Sequence, residues 1–393
     1  ELHLQIGNFN LLSHGGENLR MIEFINDGLM TIFFLLVGLE IKRELLVGEL
    51  SSFRKAALPF IAACGGMLFP VIVYMSICPP GSAGSQGLAI PMATDIAFSL
   101  GVLSLLGSRV PLSLKIFLTA FAVVDDIGGI LVIALFYSSH VSYGYILIAA
   151  LLYVLLYFIG KRGTTNKIFF LVIGVVIWYL FLQSGIHSTI SGVILAFVIP
   201  AKPRLDVGKY IEHIRHTIAG FPVVESGSIV LTNEQIAKLK EVESASDRVI
   251  SPLQSLEDNL HGAVNYLILP LFAFVNAGVV FSGGGELVGS VGMAVAAGLL
   301  FGKFAGIYFF TWLAIKIRLT PMPPGMTWKN LSGIALLGGI GFTVSLFIAN
   351  LSFGANYPVL LNQAKFRVLS GTILSGLLGY IVLRIVLPVR KRK

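Results

Sequence analysis

Four ionisable side chains lie deep inside apolar stretches, where a charge costs several kcal/mol unless it has a partner. Asp125 and Asp126 are adjacent in AVVDDIGGILVIALFY, Asp95 lies in ATDIAFSLGVLSLLG, and Lys303 lies in LLFGKFAG. Two neighbouring carboxylates in a low dielectric are stable with protons on them or with a cation between their oxygens, but not when both are bare. Carboxylate oxygens are ligands that hard cations such as Na⁺ prefer. The pair therefore predicts a site that can hold either protons or a metal cation.

A short pattern occurs twice in the apolar part of the chain. IAFS at 96–99 resembles IGFT at 340–343, and each copy lies in the middle span of a three-span block. The blocks are 56–138 and 288–387, and the distribution of charged residues gives them opposite orientations. Paired, interrupted segments in two inverted halves indicate the binding site of a transporter.

Asp95 and Lys303 could compensate the helix ends that such interruptions expose. If both helices unwind, Asp95 suits the positive ends of the half-helices and Lys303 suits the negative ends. Lys303 lies about 15 residues from the end of its span, too deep for its ammonium to reach water easily. It could also keep one aspartate ionised when no metal is bound. The alternative is a structural role, with Asp125 and Asp126 bonded to the backbone or to Lys303.

Composition predicts an all-α membrane protein rather than a soluble domain or a nucleic-acid-binding protein. The 393 residues are 55% hydrophobic and 12% charged, with a mean hydropathy of +0.86, whereas soluble domains carry about 25% charged residues. Apolar stretches of about 20 residues can cross the bilayer, and they must be helices because lipid offers no partners to backbone groups. Eleven spans are expected, at 21–41, 56–78, 88–106, 112–138, 144–160, 168–184, 187–200, 263–282, 288–315, 330–352 and 362–387.

The basic residues predict the orientation of these spans. The net charge of +8 comes from Lys and Arg that fill alternate connections, which marks the cytoplasmic side. Lys365 and Arg367, near the outer end of the last span, are the exception. This pattern places the C-terminus in the cytoplasm and residues 1–20 outside. The odd number of spans then predicts that a first helix is missing from the sequence.

The N-terminal residues alternate between apolar and polar positions. Residues 1–12 alternate around Gly7-Asn8, which predicts a small periplasmic β-hairpin. An exposed hairpin edge could pair with a second subunit.

Residues 201–260 form a cytoplasmic insert between spans. Within it, Thr232 and Asn233 could cap a helix. His213 and His216 share a helix face, and we interpret them as solvated because no further ligand cluster is nearby. The predicted division is a hairpin and linker at 1–20 and a transmembrane domain at 21–393, with inverted repeats at 56–138 and 288–387.

Long ordered motifs resemble those of the NhaA family of bacterial Na⁺/H⁺ antiporters. The resemblance covers nearly the whole chain, and this family is itself one from which inverted transporter repeats are known. The motifs are INDGLMTIFFLLVGLEIKREL (25–45), ATDIAFSLGVLSLLGSRVPLSLKIFL (93–118), VVDDIGG (123–129), GIHSTISGVILAFVIP (185–200), LPLFAFVNAG (269–278) and GGIGFTVSLFIANLSF (338–353).

The resemblance implies a twelve-span bundle with two crossing discontinuous helices. Asp125 and Asp126 match the pair that binds Na⁺ or Li⁺ and protons, with no other cofactor. The family's hairpin joins two protomers, which implies a homodimer in the bacterial inner membrane. The matching residues of the supporting core are Thr94, Asp95, Lys303, Gly341 and Thr343. The family's lysine can pair with the residue that corresponds to Asp125.

The resemblance also implies regulation by pH. The matching positions near the cytoplasmic funnel are Glu40, Arg43, Glu44 and Glu257, and His187 matches a histidine associated with the response. Two departures put the usual pH profile in doubt. Gln254 stands where a basic residue is expected, and the 201–260 connection is longer than usual.

Together these features predict an electrogenic antiporter that exports Na⁺ (or Li⁺) in exchange for protons by alternating access. A cation channel is the first alternative, although no tandem filter is visible in the sequence. An intramembrane aspartyl protease is the second, although its aspartates would lie on different helices and the chain has no Gly-Asp dipeptide.

Overall fold

Long apolar helices dominate the computed structural model. It describes residues 5–6, 9–10, 13–14, 17–18, 21–137, 141–164, 166–202, 207–220, 232–279, 289–354 and 356–388. In these ranges seven helices are long and apolar enough to cross a membrane, or nine if each of two bent pairs counts as one span. The chain is therefore a multi-pass, all-α membrane protein, as its composition predicts.

Each of the eleven predicted spans corresponds to helical structure. The seven long helices are Met21–Val47, Phe53–Ile77, Leu112–Phe136, Tyr143–Lys161, Lys167–Ser184, Ser290–Lys316 and Pro358–Val386. The two bent pairs are Ala83–Met92 with Ile96–Ser104, and Trp328–Leu337 with Phe342–Phe353. The spans predicted at 187–200 and 263–282 are helices that do not reach the length and hydropathy of the others, namely Thr189–Val198 and the end of a run formed by Pro252–Ala263, Val264–Ile268 and Leu269–Asn276.

Five of these elements surround the candidate site, and each takes a name here. The aspartate helix is Leu112–Phe136 and the lysine helix is Ser290–Lys316. The first broken helix is Ala83–Met92 with Ile96–Ser104, and the second is Trp328–Leu337 with Phe342–Phe353, each bent by 44° at its break. The glutamate helix is Met21–Val47.

Both predicted blocks have the order long helix, broken helix, long helix, and their first helices cross at glycines. A Cβ atom on Gly65 of Phe53–Ile77 would lie 2.3 Å from the carbonyl oxygen of Gly306, and one on Gly306 would lie 2.0 Å from that of Gly65. Only residues without a Cβ allow the two backbones to approach this closely. This crossing holds the lysine helix against the first block and sets the depth of Lys303.

Two pairs of short antiparallel strands precede the first long helix in the described residues. Gln5–Ile6 pairs antiparallel with Phe9–Asn10 in the register of the predicted hairpin, while its tip at Gly7-Asn8 lies outside the described residues. A second pair joins Ser13–His14 and Glu17–Asn18.

The described residues of the insert form the helices Val207–Ala219 and Asn233–Val249 and most of Pro252–Ala263, and the prediction of a capped helix is confirmed. Asn233–Val249 begins where Thr232 Oγ1 accepts a hydrogen bond from the backbone of Gln235. His213 and His216 are exposed on Val207–Ala219, and His213 lies 3.5 Å from Glu241. Residues 203–206 and 221–231 of the insert lie outside the described residues, as do the basic residues at the end of the chain.

Candidate functional site

The two broken helices meet at their breaks. The backbone N–H of Asp95 donates to the carbonyl of Ile340 at 2.6 Å, and the Thr94 hydroxyl donates to the carbonyl of Gly338 at 2.8 Å. The phenylalanines of the repeated pattern also touch, since the Phe98 and Phe342 rings pack edge to face at 4.9 Å. Each broken helix thus supplies hydrogen-bond partners to backbone groups that the break in the other helix leaves unpaired. Non-helical backbone inside a membrane requires such partners, because lipid offers none.

Glycines let the breaks approach each other. A Cβ atom on Gly341 would lie 2.9 Å from the carbonyl oxygen of Ala93, and one on Gly339 would lie 2.4 Å from that of Leu299. Larger residues would push the second broken helix away from both neighbours. Gly341, which the sequence places in the supporting core, therefore sets how closely the helices cross.

Asp95 caps two helix N-termini at once. One carboxylate oxygen accepts from the backbone N–H of Phe98, at 3.2 Å, in the half-helix that Asp95 begins. The other accepts from both the backbone N–H, at 3.1 Å, and the hydroxyl of Thr343 in the opposite half-helix. A carboxylate is favourable at helix N-termini, which carry partial positive charge. The predicted position of Asp95 at the positive ends agrees with this geometry.

The hydroxyl of Thr343 should therefore contribute to stability. Thr343→Val keeps the volume but removes a hydrogen bond to a buried carboxylate, so we expect a loss of about 1.5–3 kcal/mol in unfolding free energy. The matched control is Thr311→Val, because Thr311 is equally buried and its hydroxyl has no hydrogen-bond partner in the described structure. Thermal unfolding in detergent should show a lower melting temperature for Thr343→Val alone. Equal melting temperatures for the two variants would contradict the role of Thr343.

Lys303 pairs with only one aspartate. Its ammonium lies 2.5 Å from Oδ2 of Asp125 and donates to the Thr94 hydroxyl at 2.8 Å. Lys303 is fully buried and also lies over the Phe121 ring, 5.6 Å from its centroid. Since Thr94 donates to Gly338, the positive charge reaches the C-terminal end of a half-helix only through that hydroxyl. The sequence predicted that Lys303 suits the negative ends of the half-helices or serves as the counter-charge of an aspartate. Its direct partner is Asp125, and it reaches a half-helix end through Thr94.

The turn before Lys303 is a π-helix. Gly298–Gly302 has this wider turn, which ends at the lysine itself. π-helical turns inside α-helices often occur at functional sites. Here the turn brings the carbonyl of Leu299 close to Gly339 in the second broken helix.

Asp126, unlike Asp125, faces a cavity. Asp125 is 1% exposed and Asp126 is 6% exposed. The cavity has a volume of about 180 Å³ and also contacts Asp95, Glu40 and His261. The rest of its lining comes from Thr94, Val344 of the second broken helix, and mostly apolar side chains of the glutamate helix, the first broken helix and the 264–269 segment. A small cation can therefore approach the aspartate pair through the carboxylate of Asp126.

Four of the five predicted pH-response residues lie together at one end of the bundle. Arg43 lies 2.9 Å from Glu257 and 3.0 Å from Glu44. Glu40 is one helical turn away and reaches the cavity. His187, the fifth, lies near the backbone of Tyr137 at the other end of the aspartate helix. The structure does not place His187 in the same cluster.

The sequence reasoning missed several polar residues around this site. His261 lies 3.5 Å from Glu40 and 3.9 Å from Glu257, four positions before it in the same helix. That i, i+4 spacing was the available signal. Amide side chains also link three helices, since Asn276 donates to Asn26 at 2.8 Å and Asn350 donates to Asn276 at 2.9 Å. Asparagines in apolar spans could have indicated this network.

Broken helices that cross beside buried carboxylates and a buried lysine, inside a multi-pass bundle, define a secondary transporter. Comparison with known proteins makes the class specific. The family model described as Na⁺/H⁺ antiporter 1 matches residues 2–383. The chain belongs to this family of Na⁺/H⁺ antiporters, which are transporters rather than enzymes.

Curated proteins that are similar to this chain over most of their length are also named as Na⁺/H⁺ antiporters. A protein of Bacteroides fragilis named Na⁺/H⁺ antiporter NhaA is 81% identical over 391 residues, covering 100% of this chain and 90% of the relative. The NhaA antiporter of Phocaeicola vulgatus is 63% identical over 390 residues, with coverages of 99% and 87%. That of Parabacteroides distasonis is 51% identical over 404 residues, with coverages of 99% and 88%.

Proposed function

We propose that the chain exports Na⁺ or Li⁺ in exchange for protons at Asp125 and Asp126. The observation that carries this assignment is the asymmetry of the pair, because Asp126 faces the cavity while Asp125 is held by Lys303. A cation that enters the cavity would meet Asp126 first. It would then draw Asp125 away from the lysine, and protons would leave as the cation bound.

Exchange at such a pair should be electrogenic. A monovalent cation that binds both aspartates would displace one proton from Asp126 and one from the Lys303 ammonium, which loses its partner Asp125. Two protons would then exchange for one cation, so net charge crosses the membrane in each cycle. The membrane potential then contributes about 2.3 kcal/mol per elementary charge for each 100 mV. An inside-negative potential would drive protons in and Na⁺ out.

Alternating access would come from motion of the two repeats around the crossing. The supporting core of Thr94, Asp95, Lys303, Gly341 and Thr343 joins the broken helices at mid-membrane, and their half-helices extend from it in both directions. Tilting the broken helices together would close the present cavity and open another on the opposite side.

The remaining features of the proposal concern regulation and placement. Glu40 lines the cavity, and Arg43, Glu44 and Glu257 form an ion-paired group close to it. A change of protonation there would alter the entry of cations. The basic connections support a placement of this end, and of the C-terminus, on the cytoplasmic side. The membrane would be the inner membrane of a bacterium. The hairpin within residues 1–12 would then join two protomers on the outer face.

Cation-dependent dequenching of a pH-sensitive dye in proteoliposomes tests the function. We expect Na⁺ and Li⁺ to collapse an imposed proton gradient with saturation, and K⁺ to have little effect. An imposed membrane potential should change the rate, because the exchange is electrogenic. Equal responses to Na⁺ and K⁺, or the absence of any response across a range of pH, would contradict the proposal.

The two alternatives fit these observations less well. A channel would give linear conductance, whereas a site with one fully buried ion pair predicts saturable exchange. A protease needs aspartates on two helices that face one scissile bond, but Asp125 and Asp126 are neighbours on one helix and the carboxylate of Asp95 is engaged as a cap.

A further inference from the structure

Two carboxylates and one imidazole converge at the mouth of the cavity. Glu40 comes from the glutamate helix, and Glu257 and His261 come from Pro252–Ala263. One possible ligand atom from each residue lies within 4.8 Å of the other two. The shortest approaches are 3.5 Å from His261 Nε2 to Glu40 and 3.9 Å to Glu257.

These distances are close to those of a tetrahedral metal site. Zn²⁺ binds imidazole nitrogen and carboxylate oxygen at about 2.0–2.2 Å, which puts neighbouring ligand atoms roughly 3.4 Å apart. The 3.5 Å approach of His261 to Glu40 is already near that spacing, whereas Glu257 would have to move closer. Three protein ligands would leave one position to water, and the imidazole favours transition metals over Mg²⁺ and Ca²⁺.

Glu257 supplies an independent indication of a missing partner. Its side chain is 7% exposed, and its Oε2 atom is buried with no hydrogen-bond partner in the described part of the chain. The other oxygen, Oε1, accepts from Arg43 at 2.9 Å and is also the oxygen that lies 3.9 Å from His261, so the carboxylate would have to turn to present the unpartnered Oε2 to a cation. Arg43 also pairs with Glu44 at 3.0 Å, so its charge keeps a second partner if Glu257 turns toward a metal. A buried carboxylate oxygen without a partner is costly.

We propose that Glu40, Glu257 and His261 bind a divalent transition-metal ion such as Zn²⁺, which inhibits transport. Glu40 and His261 line the same cavity as Asp126. An ion held there would occupy the approach to the aspartate pair and repel Na⁺ by its charge. The inhibition rests on the proposed function, whereas the binding site does not.

Direct binding tests the site without reference to transport. Purified protein should withdraw one Zn²⁺ per chain from a chromogenic chelator, at a pH above neutral because the ligands must be deprotonated. His261→Gln should weaken this binding by roughly tenfold or more, and Glu40→Gln should do the same. An excess of Mg²⁺ should not compete.

His213 provides a matched control. It also lies 3.5 Å from a glutamate, Glu241, but on the surface of the insert, and no third ligand completes a group with this pair in the described structure. His213→Gln should leave high-affinity binding unchanged. If His261→Gln and Glu40→Gln bind Zn²⁺ as tightly as His213→Gln, the proposed site is wrong.

Exchange in proteoliposomes then tests the inhibition. Zn²⁺ added on the side where the cavity opens should inhibit Na⁺-dependent exchange. With each variant normalised to its zinc-free rate, the half-inhibiting concentration should be at least about tenfold higher in His261→Gln than in the wild type. Binding without inhibition would overturn the blocking role. If no exchange occurs even without zinc, the proposed function fails, and the chelator measurement still decides whether the metal site exists.

Discussion

Asp126→Asn should abolish Na⁺-dependent proton exchange, with a loss of about 100-fold or more, while the protein still folds. The amide keeps the shape of the carboxylate but can neither carry the negative charge that attracts Na⁺ nor release a proton. A unit charge about 3 Å from a cation is worth roughly 5 kcal/mol at an effective dielectric constant near 20. Because Asp126 faces the cavity, the neutral amide of Asn should fit there without disturbing the fold.

Dequenching in proteoliposomes, at several pH values and saturating Na⁺, measures this loss. Asp258→Asn is the matched control, because Asp258 is exposed on Pro252–Ala263 and does not line the cavity. The control should exchange at the wild-type rate, and both variants should melt near the wild-type temperature. Full exchange by Asp126→Asn would remove the aspartate pair from the mechanism.

The sequence alone was sufficient for the parts of the site that depend on charge in lipid. Asp95, Asp125 and Lys303 are so costly in an apolar span that each must have a partner, and each has one. The IAFS and IGFT pattern located both breaks, because small and hydroxylated residues are what a crossing of unwound backbone needs. The position of a charged residue within an apolar span, and the small residues around a break, can both be recognised from the neighbouring sequence.

Partner identity across the bundle was harder to predict. The residue pattern alone could not decide which aspartate Lys303 contacts, because Asp125 and Asp126 differ only by the 100° rotation between adjacent residues of a helix. Only the resemblance to the family implied Asp125. His261 was missed because it comes from a predicted span end that looks like ordinary surface, and only the fold brings it to Glu40. The same limit applies to His187, which matches a family position but lies away from the other pH-response residues.

The second large effect concerns stability. Lys303→Met keeps an unbranched side chain but removes the ammonium, which leaves Asp125 buried without its counter-charge. Breaking one side of a buried ion pair typically costs about 3–5 kcal/mol. Thermal unfolding in detergent should therefore show a large drop in melting temperature. The matched control is Lys316→Met on the same helix, since Lys316 is exposed and makes only a cation–π contact with Trp312, worth about 1 kcal/mol or less.

A double-mutant cycle separates the ion pair from simple packing. Asp125→Asn in the Lys303→Met background removes the uncompensated charge, so the double variant should be more stable than Lys303→Met alone. Lowering the pH should also reduce the deficit of Lys303→Met, because a protonated Asp125 needs no counter-charge. Additive losses in the cycle, or a Lys303→Met variant as stable as Lys316→Met, would show that the lysine only fills space. If the coupling is found, Lys303 is the counter-charge that keeps Asp125 ionised until a transported cation or a proton binds to Asp125 in its place.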